Sequence, residues 1–290
     1  MRADAVIESL ARNRDGRAGN RLVGLRLPNV VSRPTVMTYS TFDSAHVGGN
    51  IAKAGVDVQY KLRNARTLNE RANSLWGKAA MGLEYLLFRT GPLTMPPSQL
   101  GAFAPSDPAQ PTPNMEWHVQ PLSLDKFGDP LHDFPAITPS VCNLRPSSRG
   151  WVRIRSADPG APPAIHYNYL ATEGDRRMMV EGLKFARRLV NTPPMREFAA
   201  GEFLPGERVK TDEDWLAFCR EAGDTVFHPT STCRMGEDAA AVVDARLRVR
   251  GLAGLRVIDA SVMPSVVSGN TNAAVIALAE KGADLVRADA

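Results

Sequence analysis

The sequence predicts an α+β fold that has a mostly antiparallel sheet with helices on one face. Alternating apolar and polar residues, typical of strands, occur in three segments: 115–120, 137–144 and 150–155. No helix long enough for a parallel crossover lies between these segments, so antiparallel pairing is expected. Apolar residues at helical spacing occur in three further segments: 68–89, 173–191 and 211–222.

Composition limits the class of protein. The 290 residues are 43% hydrophobic and 23% charged, which is ordinary for a globular protein with a sizeable core. The 35 basic and 31 acidic residues are well mixed along the chain, which argues against nucleic-acid binding. No run approaches the ~18 apolar residues of a membrane span. Acidic residues near Met1 argue against a signal peptide, so a cytoplasmic protein is expected.

The first 58 residues are the least regular part of the chain, and their pattern predicts no domain. A short helix is expected at 5–14 and a strand at 21–27, neither with a clear partner. The glycine-rich stretch 48–55 does not have the spacing of a dinucleotide-binding or phosphate-binding turn, so a loop is expected there. His46 has no chemically related residues around it.

The predicted helices have recognisable ends. The first ends at Thr90-Gly91-Pro92 and is followed by a loop rich in Pro and Ser at 95–114. The second begins after Thr172 and ends before Pro193-Pro194. The third begins after Thr211 with three acidic residues and ends in Arg220, a charge order that suits the helix dipole.

Neither a disulfide nor a metal site is predicted. Cys142, Cys219 and Cys233 are an odd number at wide spacing, so reduced thiols are expected, with Cys233 a small buried residue. The loop 122–135 contains three aspartates and His132, a combination that could bind a metal. Its Pro and Gly residues favour a solvated loop instead.

The segment most suggestive of chemistry is Phe227–Gly236, which is too rich in Pro, Ser, Thr and Gly for a helix. A lone histidine such as His228 is more often structural than catalytic. The segment 257–264 is expected to be a short apolar strand ending in a polar turn, and Asn270 is expected to open a long helix. The free N–H groups of such a helix start can receive a phosphate or an electron-rich ring.

From residue 59 onward the chain resembles the flavin-dependent glucose-methanol-choline (GMC) oxidoreductases, especially their bacterial choline and alcohol dehydrogenases. The matching motifs are Thr67-Leu68-Asn69, Asn143-Leu144-Arg145-Pro146-Ser147-Ser148-Arg149-Gly150, Phe227-His228-Pro229, Thr232-Cys233-Arg234-Met235-Gly236, Val243-Asp244, Gly254-Leu255-Arg256-Val257-Ile258-Asp259-Ala260-Ser261-Val262-Met263-Pro264, Ser268-Gly269-Asn270-Thr271-Asn272 and Ala279-Glu280-Lys281. Several motifs in the family's order make chance similarity a poor explanation.

The resemblance implies an FAD-dependent oxidation of an alcohol. His228 matches the family's catalytic histidine, which would accept the hydroxyl proton, and Asn270 matches its neutral hydrogen-bonding partner. Asp259 and Ala260 would approach the FAD pyrophosphate and ribityl chain, and Asn270, Thr271 and Asn272 the flavin pyrimidine ring. Two plainer interpretations stay open: Asp259 bonded only to its own turn, and Ser268–Asn272 as only a helix cap.

The sequence departs from the family because no Gly-x-Gly-x-x-Gly motif, which binds the ADP half of FAD, is present. The chain is therefore expected to be a C-terminal fragment whose N-terminal Rossmann part is missing. Its expected division is an unassigned segment 1–58, a substrate-binding domain 59–222 and a catalytic, FAD-contacting segment 223–290. Weak or absent FAD binding is expected unless a separate polypeptide carries the missing part.

Two other functions are compatible with parts of this sequence. The chain could be an inactive remnant that keeps the fold, although intact His228 and Asn270 argue against long decay. A hydrolase using Ser231 or Cys233 with His228 is a poor match, since no Gly-x-Ser-x-Gly elbow or orienting acid is evident. Choline or another primary alcohol would be the substrate, and the electron acceptor is left open.

Overall fold

The computed structural model describes residues 54–96, 98–126, 128–153, 155–156 and 161–289, together with the backbone of two strands at 23–25 and 35–39. The helix expected at 5–14, His46 and most of the 48–55 loop lie outside these residues. The described strands, in chain order, are β1 Val23–Leu25, β2 Thr35–Tyr39, β3 Ala54–Asp57, β4 Gln59–Leu62, β5 Leu100–Ala104, β6 Met115–Gln120, β7 Ala136–Asn143, β8 Trp151–Arg153, β9 Ala164–His166, β10 Ala199–Leu204, β11 Asp224–Thr225 and β12 Leu255–Arg256. The described helices are α1 Leu68–Asn73, α2 Leu75–Phe88, α3 Glu173–Val190, α4 Pro193–Arg196, α5 Asp212–Ala222 and α6 Asn272–Ala288.

The chain forms two compact units that are interleaved in sequence. One, here called the sheet unit, comprises residues 54–144 and 172–226. The other, here called the C-terminal unit, comprises residues 145–171 and 227–290 with the described strands of residues 1–53. These units are defined by contacts in space, so the expected assignment of substrate binding to 59–222 stays a prediction.

The sheet unit is built around β7, which pairs with β6 on one edge and with β3 and β4 on the other, always antiparallel. Strands β5, β10 and β11 extend this sheet through further antiparallel pairs. The antiparallel α+β fold expected from the alternating segments is therefore confirmed.

Helices α3 and α5 cover the sheet unit's core. Thr172 caps α3 by accepting a hydrogen bond from the Asp175 N–H at 3.3 Å, and Thr211 caps α5 in the same way. Gly182 in α3 lies so close to β7 that an added Cβ would come within 2.5 Å of Val141 Cγ1. The Trp117 indole on β6 donates to the Gly182 carbonyl at 3.1 Å. The absence of a side chain at Gly182 thus permits this close packing.

The C-terminal unit has less regular structure. Strand β12 pairs in parallel with β2, which pairs antiparallel with β1, and β8 and β9 form a separate antiparallel pair. Its core consists of apolar side chains from successive turns and from the residues that follow β12: Cys233, Val242, Val243, Leu247, Val249, Val257 and Val262. Leu278 and Leu285 of α6 pack against this cluster, so the last helix is attached to it.

Three expected elements differ in the structure. The helix expected at 68–89 is interrupted at Ser74, and the loop expected at 95–114 contains β5. The strand expected at 257–264 does not form, because β12 ends at Arg256 and a 3₁₀ turn follows at Ala260–Val262. Of the apolar residues that suggested the first helix, Leu75, Leu83, Leu86 and Leu87 are exposed, whereas Met81 is buried. Helical spacing therefore identified the helix without identifying its buried face.

Candidate active site

The loop Phe227–Gly236 is attached to the 3₁₀ turn at Ala260–Val262. The Cys233 N–H donates to the Ser261 carbonyl at 2.9 Å, and the Met235 N–H donates to the Val262 carbonyl at 2.8 Å. Cys233 and Val262 are both buried in the core cluster. Two motifs that are distant in sequence are therefore held together by backbone hydrogen bonds within one unit.

His228 lies beside the start of α6. Its Nδ1 atom is 2.9 Å from the Thr271 hydroxyl oxygen, which is a hydrogen-bonding distance. His228 is half-buried, whereas Thr271 is buried. Phe227, just before the histidine, has a left-handed backbone with φ of 59°, which is uncommon for a bulky residue. The histidine thus follows a sharp turn of the loop and meets a buried hydroxyl.

The N-terminus of α6 carries both of the predicted asparagines. The helix begins at Asn272, two residues later than expected, and Thr271 occupies its N-cap. The Thr271 side chain makes no capping hydrogen bond, unlike Thr172 and Thr211 at the starts of α3 and α5. Asn270 and Asn272 are exposed on either side of it. The structure therefore brings His228, Asn270, Thr271 and Asn272 to one helix start.

Asp259 lies shortly after β12 and is the N-cap of the 3₁₀ turn at Ala260–Val262. One carboxylate oxygen accepts hydrogen bonds from the Ser261 N–H at 2.8 Å and the Ser261 hydroxyl at 2.5 Å. Burial raises the pKa of Asp259, and these two hydrogen bonds act in the opposite direction. This is the local contact expected of an aspartate bonded to its own turn. A contact of Asp259 or Ala260 with a cofactor stays a prediction.

The structure adds contacts that the motifs alone did not indicate. The Arg145 guanidinium donates through Nε to the Ser268 hydroxyl at 3.0 Å, so one family motif supports the loop before Asn270. The hydrogen bond between Thr271 and His228 was also not foreseen, although Thr271 had been assigned to the flavin side. A hydroxyl next to a catalytic-type asparagine was the only sequence signal for it.

The competing chemistries find little support at this site. Ser231 and Cys233 are buried, and the Ser231 hydroxyl lies 3.1 Å from that of Thr230. Within the described ranges, no group of His, Cys, Asp and Glu side chains could hold a metal ion. In the 122–135 loop, His132 bonds to the buried Ser123 hydroxyl at 2.9 Å and to Asp125 at 3.2 Å. His132 thereby ties this loop together. All three cysteines are buried and form no disulfide bond.

Known proteins match this chain over its later residues. The family model described as GMC oxidoreductase matches residues 146–279. An alcohol dehydrogenase (acceptor) from Pseudomonas putida is 38% identical over 224 residues, which are 77% of this chain and 41% of that protein. An oxygen-dependent choline dehydrogenase from Paraburkholderia xenovorans strain LB400 is 37% identical over 233 residues, with 79% and 41% covered.

Solved structures agree with these relatives. A formate oxidase from Aspergillus oryzae RIB40 superposes with a TM-score of 0.78 at 25% identity, covering 86% of this chain and 48% of that one. A pyridoxine 4-oxidase from Mesorbium loti gives a TM-score of 0.69 at 26% identity, covering 85% and 45%.

Residues 146–279 therefore match the C-terminal domain of the GMC oxidoreductases, a family of FAD-dependent enzymes. The chain is choline- and alcohol-dehydrogenase-like. It spans about two fifths of the length of these curated relatives. Among the residues that the structure describes, no helix has the length and apolar character needed to cross a bilayer.

Proposed function

We propose that this chain supplies the catalytic and flavin-facing part of an enzyme that oxidises the CH–OH group of a primary alcohol. The observation that carries the proposal is the contact of His228 with the start of α6, where Asn270 is exposed. One titratable group beside one neutral amide donor is a suitable pair for alcohol oxidation. Relatives named as choline and alcohol dehydrogenases support this substrate class.

The residues present suit the flavin side of such a site. The Thr271 hydroxyl does not cap α6, so the helix start is not closed by its own N-cap side chain. The partial positive charge of a helix N-terminus favours an electron-rich group there. Asn270, Thr271 and Asn272 would therefore hold the pyrimidine side of FAD, with Asp259 and Ala260 toward its ribityl and pyrophosphate part. When bound, FAD would accept the hydride from the alcohol carbon.

The chain's own residues would accept the proton of the alcohol hydroxyl and bind its oxygen. The His228 imidazole would take the proton of the alcohol hydroxyl as the oxygen becomes more negative. The Asn270 amide N–H would donate a hydrogen bond to that oxygen and would not change its own charge. The Arg145–Ser268 hydrogen bond would help to fix the loop that presents Asn270.

The test is a chimera, since this chain matches two fifths of its relatives. The matched part of the Pseudomonas putida alcohol dehydrogenase (acceptor) would be replaced by the corresponding residues of this chain. We expect the chimera to contain flavin and to reduce an electron-accepting dye when a primary alcohol is added. His228→Ala should lower its turnover by roughly a hundredfold or more, with flavin content nearly unchanged.

His166→Ala is the matched control, because His166 is an exposed histidine on β9 in the same unit. It should leave turnover near that of the unmodified chimera. A His228→Ala chimera with ordinary turnover would refute the role of His228. Comparing choline with an uncharged primary alcohol in the same assay identifies which donor the chain accepts.

A second proposal concerns FAD binding by this chain alone. The chain lacks the Gly-x-Gly-x-x-Gly motif that would anchor the adenosine half of FAD. We expect the purified chain to carry little flavin, measured by its visible absorbance, and to gain it when co-expressed with a separate polypeptide containing that motif. A stoichiometric flavin on the chain alone would contradict this. Failure of both preparations to bind flavin would favour the inactive alternative.

A further inference from the structure

We propose that Thr271 is a positioning residue that holds the His228 ring through Nδ1 and leaves Nε2 as the reactive nitrogen. The inference rests on the proposed function, because that function is what requires a reactive nitrogen. The contact between Thr271 and His228 itself involves no cofactor. The Thr271 hydroxyl oxygen and His228 Nδ1 are 2.9 Å apart, and both residues belong to the C-terminal unit.

The Thr271 hydroxyl does not cap α6 and instead contacts His228. Threonine at an N-cap ordinarily accepts from the N–H of the second or third helical residue, as Thr172 and Thr211 do in this chain. Thr271 makes no such bond, and its backbone is already helical, with φ of −75° and ψ of −17°. The side-chain contact that the structure shows for the Thr271 hydroxyl is therefore with the His228 ring and not with the start of its own helix.

The hydroxyl is also well suited to fix the ring. Thr271 is 9% exposed, so its side chain has little freedom to move away. A β-branched side chain has restricted rotation about χ1. On either side of His228, Phe227 has a left-handed backbone and Pro229 has a restricted φ. The hydrogen bond at Nδ1 restricts rotation of the imidazole.

The direction of the hydrogen bond decides which nitrogen reacts. A neutral imidazole has one N–H donor and one acceptor nitrogen. If Nδ1–H donates to the Thr271 oxygen, Nε2 keeps its lone pair and can accept a proton. Once Nε2 is protonated, the Nδ1–H bond becomes charge-assisted and stronger, which favours the imidazolium. If instead Thr271 donated to Nδ1, the proton would lie on Nε2, which could then not act as a base.

The decisive measurement is the tautomer of His228 in the 290-residue chain. Long-range ¹H–¹⁵N correlation spectra distinguish a protonated Nδ1 from a protonated Nε2. The chain has five histidines. The imidazole signals that disappear in a His228→Gln variant are those of His228. We expect neutral His228 to carry its proton on Nδ1. A proton found mainly on Nε2 in the wild-type chain overturns the proposal without recourse to a position-271 variant.

Two substitutions at position 271 separate the hydroxyl from the shape of the side chain. Thr271→Val removes the hydroxyl and should shift the neutral form toward Nε2–H. It should also lower the pH midpoint of the His228 titration by ~0.5 unit, because the imidazolium loses its acceptor. Thr271→Ser keeps a hydroxyl and should resemble the wild type. Spectra of Thr271→Val identical to those of the wild type would contradict the proposal.

The chimera described above separates failure of this inference from failure of the proposed function. There, Thr271→Val should lower kcat about tenfold with a smaller change in KM, and Thr271→Ser should restore most of it. If His228→Ala is inactive but Thr271→Val turns over normally, the positioning role is wrong and the function stands. If His228→Ala is fully active, the function is wrong whatever the tautomer of His228.

Discussion

Helices α3 and α6 have nearly the same length, 18 and 17 residues, but opposite surroundings within their own units. Helix α3 buries eight residues, including Met179 and Leu183, against the sheet unit's core. Helix α6 is rich in Ala, Val, Ile and Leu, yet Gly282 is its single buried residue, and Ile276 is 56% exposed. One helix is therefore held by a whole face and the other by a narrow line of contacts.

The contacts of α6 nevertheless fix its middle and its C-terminal end. Near its middle, Gly282 packs on Ile258, one residue before Asp259. At its C-terminal end, Asp289 forms an ion pair with Arg246 at 2.6 Å and another with Arg256 of β12. These two hydrogen-bonded arginines lower the pKa of Asp289 even though its desolvation acts in the opposite direction. Helix α3 thus stabilises a core, whereas α6 positions its N-terminus, and the difference suggests three tests.

The largest expected effect concerns ion pairs in the two units. In the sheet unit, Arg187 binds both carboxylate oxygens of Glu202, at 2.7 and 2.5 Å, and the Glu202 side chain is 7% exposed. Arg187→Met should lower the free energy of unfolding by about 3 kcal/mol, because it leaves a buried carboxylate unpaired. The substitution Arg234→Met in the C-terminal unit should cost much less, since its partner Asp238 is 56% exposed. Urea unfolding measures both.

Glu202→Gln added to Arg187→Met supplies the control. The double variant should recover part of the lost stability, because no unpaired charge remains. Equal costs for Arg187→Met and Arg234→Met would show that burial does not distinguish the two ion pairs.

The second test compares the two close-packed glycines. A Cβ at Gly182 would lie 2.5 Å from Val141 Cγ1, and one at Gly282 would lie 2.4 Å from Ile258 Cγ2. Val141 is fully buried and cannot yield, whereas Ile258 is half-buried and has room to shift. Gly182→Ala should therefore destabilise the chain by about 2 kcal/mol. At Gly282 the gain of about 1 kcal/mol in helix propensity should offset most of the cost.

The check is a double-mutant cycle measured by chemical denaturation. Val141→Ala should make Gly182→Ala less costly, because the shortened side chain leaves space for the new methyl group. Additive effects of Val141→Ala and Gly182→Ala would mean that the contact between them is not the source of the loss. Ile258→Ala with Gly282→Ala should show weaker coupling.

The same contrast explains what the sequence could predict. In the sheet unit, strand alternation and threonine caps at Thr172 and Thr211 were sufficient to predict β6, β7, α3 and α5. The exposed leucines of α2 could not be predicted, because helical periodicity does not reveal which face finds a partner. The C-terminal unit has few regular strands, and backbone bonds such as Cys233–Ser261 join distant turns. There only the family motifs predicted the site, and the Thr271–His228 contact needed the structure.

The smallest expected effect is a difference in how two aspartates titrate. Hydrogen bonds from the Arg234 side chain, then from the Ala240 N–H, lower the pKa of Asp238 from 3.8 to about 2. In the sheet unit, backbone N–H groups of Thr211 and Lys210 lower the pKa of Asp214. A folded-state pKa below the unfolded value means that the Asp238 interaction stabilises the chain above about pH 4 and is lost as pH falls toward 2.

Carboxyl ¹³C titration of the folded chain measures each midpoint. Arg234→Gln should raise the Asp238 midpoint and leave that of Asp214 unchanged. Added salt should raise the titration midpoint of Asp238 more than that of Asp214. The reason is that salt screens the charge of an exposed guanidinium more than it weakens a backbone hydrogen bond. Equal salt shifts at Asp238 and Asp214 would mean that the charge of Arg234 is not what holds the Asp238 pKa down.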